Sequence, residues 1–158
     1  MNKKKKKTPS NVIAINKRSG YEYFFLEDYE AGLSLMGWEV KSLRQGKVDF
    51  NESYVFLRNG EAELIGTRIT PLLSASSHVE SDPMRPKKLL LHKKEISKLI
   101  GAIEQKGLTI VPRKLYWKAG KIKLLISLAK GKNIHDKRQA VKARDWDRNK
   151  HRVLKANQ

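Results

Sequence analysis

The sequence predicts a mainly β fold with accessory helices: a small closed β-barrel related to the oligonucleotide-binding (OB) fold, followed by a basic C-terminal tail that is disordered when free. Three observations lead there. Strand-like runs outnumber helical ones between residues 11 and 130. Asn59-Gly60 separates two of those runs, and this pair favours the positive φ angles of a type I′ hairpin turn. The third is the placement of charge. The 158-residue chain has net charge +18, of which residues 1–10 carry +5, residues 11–130 carry +7 and residues 131–158 carry +6. The ends repel themselves, so residues 1–10 read as a disordered basic N-terminus, 11–130 as the barrel and 131–158 as the tail.

Taken in order, "VIAIN" from Val12 is a short apolar run, too short for a helix, and reads as a strand. "YEYFFLEDYEAGLSLM" mixes aromatic and aliphatic residues and reads as a long strand bent at Gly32. Trp38, Val40 and Leu43 have near-helical spacing before Gly46, which predicts a short helix with Trp38 in the core. The hairpin around Asn59-Gly60 follows. Residues 74–88, polar with two prolines, read as a long loop. Ile96, Leu99, Ile100 and Ile103 share one face of an amphipathic helix that ends at Gly107. A last pair of strands turns at Ala119-Gly120.

Composition excludes several classes. The chain has no cysteine, hence no disulfide, thiol nucleophile or thiolate metal site. Its apolar runs are too short to span a membrane, and the basic N-terminus precedes no secretory apolar segment. A cytoplasmic, monomeric protein without cofactor or metal is expected. No phosphate-binding loop, dinucleotide fingerprint or nucleophile elbow is present, and no enzyme is expected. His78, Glu80 and Asp82 form an H-x-E-x-D string, but a zinc deaminase would need cysteine ligands as well.

The charge instead points to a polyanion, and nucleic acid fits better than a membrane surface. Tyr21 and Tyr23 follow Asn16-Lys17-Arg18, and Tyr116-Trp117 precede Lys118, Lys121 and Lys123. Rings stack on bases while cations hold phosphates, the pairing that looped or single-stranded RNA requires. Each ring also suits a barrel core. Pattern alone leaves Glu30 between two roles, acceptor for a base edge or partner of a nearby lysine, and favours the second.

Five segments, "YEAGLSLMGWEVKSLRQGKV", "SYVFLRNGEAELIG", "RPKKLLLHKKEI", "YWKAGKIKLLISLAKGK" and "HDKRQ", together resemble the SmpB (SsrA-binding) family from about Asn11 to the C-terminus. The resemblance implies binding to the tRNA-like domain of tmRNA. It further implies delivery, with elongation factor Tu acting on alanyl-tmRNA, to ribosomes stalled without a stop codon. Asn16, Glu30 and Leu90 match the family's RNA-binding motif. Lys17, Arg18 and Lys41 join them on electrostatic grounds, Lys121 and Lys123 as cations following Tyr116-Trp117, and Tyr21 stands where the family often has histidine. The tail is implied to become helical in the decoding centre and empty message channel of the small subunit. There Gly131, Lys132, His135, Asp136, Lys137, Arg138 and Trp146 are the candidate contacts with ribosomal RNA. A general RNA-binding or ribosome-associated structural protein is the alternative.

Overall fold

The computed structural model describes residues 11–73, 81–132, 142–146, 148, 149 and 152. Its elements are β1 (Val12–Ile15), α1 (Ser19–Glu22), β2 (Tyr23–Leu33), α2 (Gly37–Arg44), β3 (Val48–Asp49), β4 (Tyr54–Arg58), β5 (Glu61–Ile65), β6 (Arg68–Ile69), β7 (Lys87–Leu90), α3 (Lys93–Lys106), β8 (Thr109–Lys118) and β9 (Lys121–Gly131).

The turn chemistry expected from the sequence is present. Asn59 and Gly60 both take positive φ, 51° and 69°, and close the β4–β5 hairpin in tight register from Arg58↔Glu61 to Tyr54↔Ile65. Ala119 and Gly120 do the same between β8 and β9, at 50° and 73°. Gly107 ends α3 in the left-handed conformation, and Ile96 and Leu99 bury the helix's apolar face.

Seven strands form one sheet in the order β1-β8-β9-β2-β7-β5-β4, with every neighbouring pair antiparallel, while β3 and β6 make a small separate ladder. This corrects the expected closed barrel. The sheet curls until β4 comes near β8, but its edge strands β1 and β4 share no ladder among the described residues. The physical reason is length and regularity. β1 has only four residues and its register shifts between Val12 and Ala14, so it offers little edge for a closing strand.

Smaller corrections follow from long-range pairing. The expected loop 74–88 ends early, because Lys87 and Lys88 already belong to β7, paired to β5 and followed by the β2 pairing at Leu89 and Leu90. β2 begins at Tyr23 after one helical turn, and its register break lies between Phe25 and Glu27 rather than at Gly32. Gly32 serves close approach instead: a Cβ there would lie 3.2 Å from the Cβ of Leu90.

Strand alternation then sorts the sheet's two faces. Tyr29, Ala31, Leu64, Leu89, Leu115, Leu124, Ile126 and Leu128 point inward with Trp38, Leu43 and Leu99 from the helices. The intervening residues of β2, β7, β8 and β9 make the outer face.

Candidate RNA-binding face

Strand register places four of the predicted residues, Glu30, Leu90, Lys121 and Lys123, on that outer face. Ile15, Lys114, Leu125 and Glu30 lie side by side across β1, β8, β9 and β2. One step along, Tyr116, Lys123, Gly32 and Leu90 form the next row, and Lys118 with Lys121 the one after. These three rows therefore carry four lysines, all on β8 and β9, beside a single glutamate on β2. Asp28 lies beyond it on β2, engaged by Arg113 at 3.1 Å and by the hydroxyl of Ser127.

Glu30 is exposed yet held. The Tyr116 hydroxyl donates to Oε2, and Lys118 Nζ donates to both carboxylate oxygens at 3.1 and 3.2 Å. The Tyr116 hydrogen bond first, and Lys118 second, hold the Glu30 carboxyl below the usual carboxylate range. Burial and the same carboxylate push the Tyr116 phenol up.

Leu90 is 55% exposed, unusual for a leucine on a sheet. It borders a cavity of about 320 Å³ together with Val40, Trp117, Lys121 and Lys123. An apolar wall with cations at its rim suits a base whose phosphates lie outside. Lys41 is exposed on α2, one residue past Val40.

Asn16 is buried, and the structure gives it a framework role. Its Nδ2 donates to the Pro112 carbonyl at 3.1 Å, while its own carbonyl accepts from Ser19 Oγ at 2.7 Å. Its side-chain oxygen is buried and accepts no hydrogen bond. Asn16 and Lys17 border a second cleft, of about 290 Å³, with Phe25, Arg113 and Lys114. Arg18 is exposed and pairs with Glu22 at 3.3 Å. The Arg113 guanidinium stacks 4.0 Å above the Phe25 ring. Arg113 and Lys114 were missed in the sequence because β8 shifts register between Pro112 and Lys114, which breaks the alternation a reader would count.

At the far end, Gly131 is the last residue of β9 and pairs with Tyr23. Lys132 is tied to α1: its N–H donates to the Glu22 carbonyl at 2.8 Å and its Nζ to the Gly20 carbonyl at 3.0 Å, with the ammonium 4.8 Å from the Phe24 ring centroid. His135, Asp136, Lys137 and Arg138 lie outside the described residues, as do residues 1–10 and the pair His78 and Glu80. Asp82, the third member of that string, accepts the Met84 N–H at 3.0 Å and caps a turn. Where the sequence predicts a tail without structure in the free protein, residues 142–146, 148, 149 and 152 have helical backbone. Arg144 stands 5.7 Å from the centroid of the Tyr21 ring, and Trp146 is 71% exposed.

The SmpB protein family model matches residues 13–156, nearly the whole chain. The chain belongs to the SmpB family. It is 57% identical over 152 residues to the SsrA-binding protein of Alkalilimnicola ehrlichii, covering 96% of this chain and 95% of that protein. It is 56% identical over 154 residues to the SsrA-binding protein of Ruthia magnifica subsp. Calyptogena magnifica, at 98% and 93% coverage. Among solved structures, a chain from one described as "tmRNA-SmpB: a journey to the center of the bacterial ribosome" superposes with a TM-score of 0.63. It is 46% identical and covers 84% of this chain and 95% of that one. Among the described residues of this SmpB-family chain, no helix is long and apolar enough to cross a membrane.

Proposed function

We propose that this chain binds the tRNA-like domain of tmRNA and carries it to stalled ribosomes for trans-translation. The outer face around Glu30, Leu90, Lys121 and Lys123, with the neighbouring Asn16 cleft and Tyr21, grips the RNA. The tail, part of whose backbone is already helical, occupies the decoding centre and the empty message channel. Elongation factor Tu joins through alanyl-tmRNA. The protein acts as a cytoplasmic monomer, needs no cofactor, and binds rather than catalyses. The same reading takes the curled sheet as an opened relative of the OB barrel.

One observation carries the reading: an ionised carboxylate held by Tyr116 and Lys118 beside the lysine cluster of the sheet's outer face. A surface built only to attract phosphate gains nothing from a negative charge there, because affinity for phosphate rises with each cation and falls with each anion. A surface that reads a base edge does gain, since a carboxylate accepts from amino and imino N–H groups. The likeness to proteins named SsrA-binding says which RNA to test.

Competition decides it. Labelled tRNA-like domain bound to the protein is challenged with a hundredfold excess of bulk tRNA at physiological salt. A tmRNA-specific binder keeps its label. A general RNA-binding or ribosome-associated structural protein releases it.

A further inference from the structure

Tyr116 and Glu30 come from β8 and β2, strands that are not neighbours, since β9 lies between them. Two strand spacings amount to roughly 9.6 Å. The two side chains therefore lean toward each other across β9 and meet above it. An exposed glutamate on a strand ordinarily samples several rotamers. Here it is pulled flat over the sheet, toward the row that holds Lys123 and Leu90.

We propose that Tyr116 is a positioning residue for RNA recognition: its hydroxyl fixes the Glu30 carboxylate across β9, so that the free acceptor positions face a base edge rather than a phosphate. The proposal rests on the reading of this face as the RNA-binding surface.

The acceptor inventory supports it. A carboxylate has about four lone-pair sites. Tyr116 takes one on Oε2, and Lys118 reaches both oxygens. At least one direction on Oε1 is left for an incoming donor. The groups facing Glu30 are Tyr116, Lys118 and Lys123, with Lys114 5.4 Å from the centroid of the Tyr116 ring. They keep the carboxylate charged, so it rejects phosphate and accepts N–H. The ligand class is a nucleobase edge offering amino or imino hydrogens, as guanine and cytosine do. Tyr116 thereby contributes selectivity, while the surrounding lysines supply attraction that any RNA feels.

The test is a double-mutant cycle with E30Q, Y116F and the double variant, each bound to labelled tRNA-like domain and to bulk tRNA. Y116F keeps the ring and deletes only the hydroxyl. We expect Y116F to weaken tRNA-like-domain binding about fivefold, in line with the net worth of one ordinary hydrogen bond. Bulk-tRNA binding and its salt slope should not move, and Y116F should add nothing in the E30Q background. In the free protein, NMR titration should find the Glu30 carboxyl raised toward its ordinary value in Y116F. Equal loss on both RNAs, additive losses in the cycle, or an unmoved Glu30 titration would each overturn the proposal. So would failure of Y116F to fold, which would make the hydroxyl structural. If E30Q itself costs nothing, the RNA-binding reading of the face fails first and the role of Tyr116 goes with it. If E30Q costs affinity and Y116F does not, only the role of Tyr116 is lost.

Discussion

The ammonium of Lys87, 1% exposed, lies 3.8 Å from Oε2 of Glu39, whose side chain is wholly buried. Lys87 enters the interior because β7 alternates and residue 87 falls on its inner face beside Leu89. Its Nζ donates to the carbonyls of Thr67 and Arg85 at 3.0 and 2.7 Å. Glu39 Oε1 accepts the Met36 N–H at 2.8 Å and also pairs with Arg85. One buried carboxylate thus pins the start of α2 to the strand that presents Leu90.

Removing one member of this pair strands the other. Glu39→Ala should destabilise by about 3–5 kcal/mol, the cost of an uncompensated buried charge. Glu39→Gln combined with Lys87→Met should restore most of that loss. Urea unfolding of the single and double variants checks both. The pH dependence has a definite sign. Burial first, against the opposing pull of Glu39, holds the Lys87 ammonium below its ordinary value of 10.5. Between the native value and 10.5 the unfolded chain binds more protons, so stability relative to Lys87→Met rises with pH in that window. A flat difference would mean that Lys87 titrates alike in both states.

Two glycines should respond to alanine with opposite signs. Gly66 has φ of +80°, and a Cβ there would sit 2.5 Å from the Glu52 carbonyl oxygen, beside the buried Ser53–Thr67 hydroxyl pair. Gly66→Ala should cost at least about 1–3 kcal/mol. Gly101 lies inside α3 with open space where its Cβ would be. Gly101→Ala should stabilise by ~0.5–1 kcal/mol. Thermal melts of the two variants distinguish them in one experiment.

The proposed division of labour between sheet and tail predicts a boundary at Lys132, because β9 and its tie to α1 extend that far. Truncation after Lys132 should leave affinity for the tRNA-like domain within about threefold, under roughly 0.7 kcal/mol. It should abolish alanine transfer to stalled nascent chains. In the full chain, reordering Asp136-Lys137-Arg138 to Lys-Arg-Asp together with His135→Ala preserves net charge. If these residues meet fixed RNA atoms, transfer is lost while tmRNA binding persists. Full transfer by the reordered protein would leave charge alone as the tail's contribution.

Local chemistry was legible in the sequence, and long-range pairing was not. Asn59-Gly60, Ala119-Gly120 and Gly107 announce their own turns, because each needs a φ that few residues adopt. The face of α3 follows from spacing alone. Closure of the sheet depends instead on how edge strands meet, and no periodicity records that. β3 and β6, of two residues each, are too short to leave a pattern. The bridge from Glu30 to Tyr116 joins positions 86 apart and crosses an intervening strand. Pattern therefore preferred a nearby lysine as the partner of Glu30, and Lys118 does occupy that role. The functional weight of Glu30 came from family likeness, since an isolated acid among bases has no signature of its own. Lys87 shows the converse failure, a lysine in a basic run that turns out to be core.

The strand that leads into the tail is flanked on both sides, by β8 and by β2, through antiparallel ladders along nearly its whole length. Inter-strand hydrogen bonds run perpendicular to the strands. A pull on the tail directed along β9 would therefore load those bonds in shear, many at once, rather than unzip them singly. Lys132 adds a first catch on α1 before tension reaches the ladder. Rupture under force follows the unfolding barrier rather than the equilibrium stability. The molecule is thus built so that tugging on its tail strains the sheet in its most resistant direction and leaves the outer face in register.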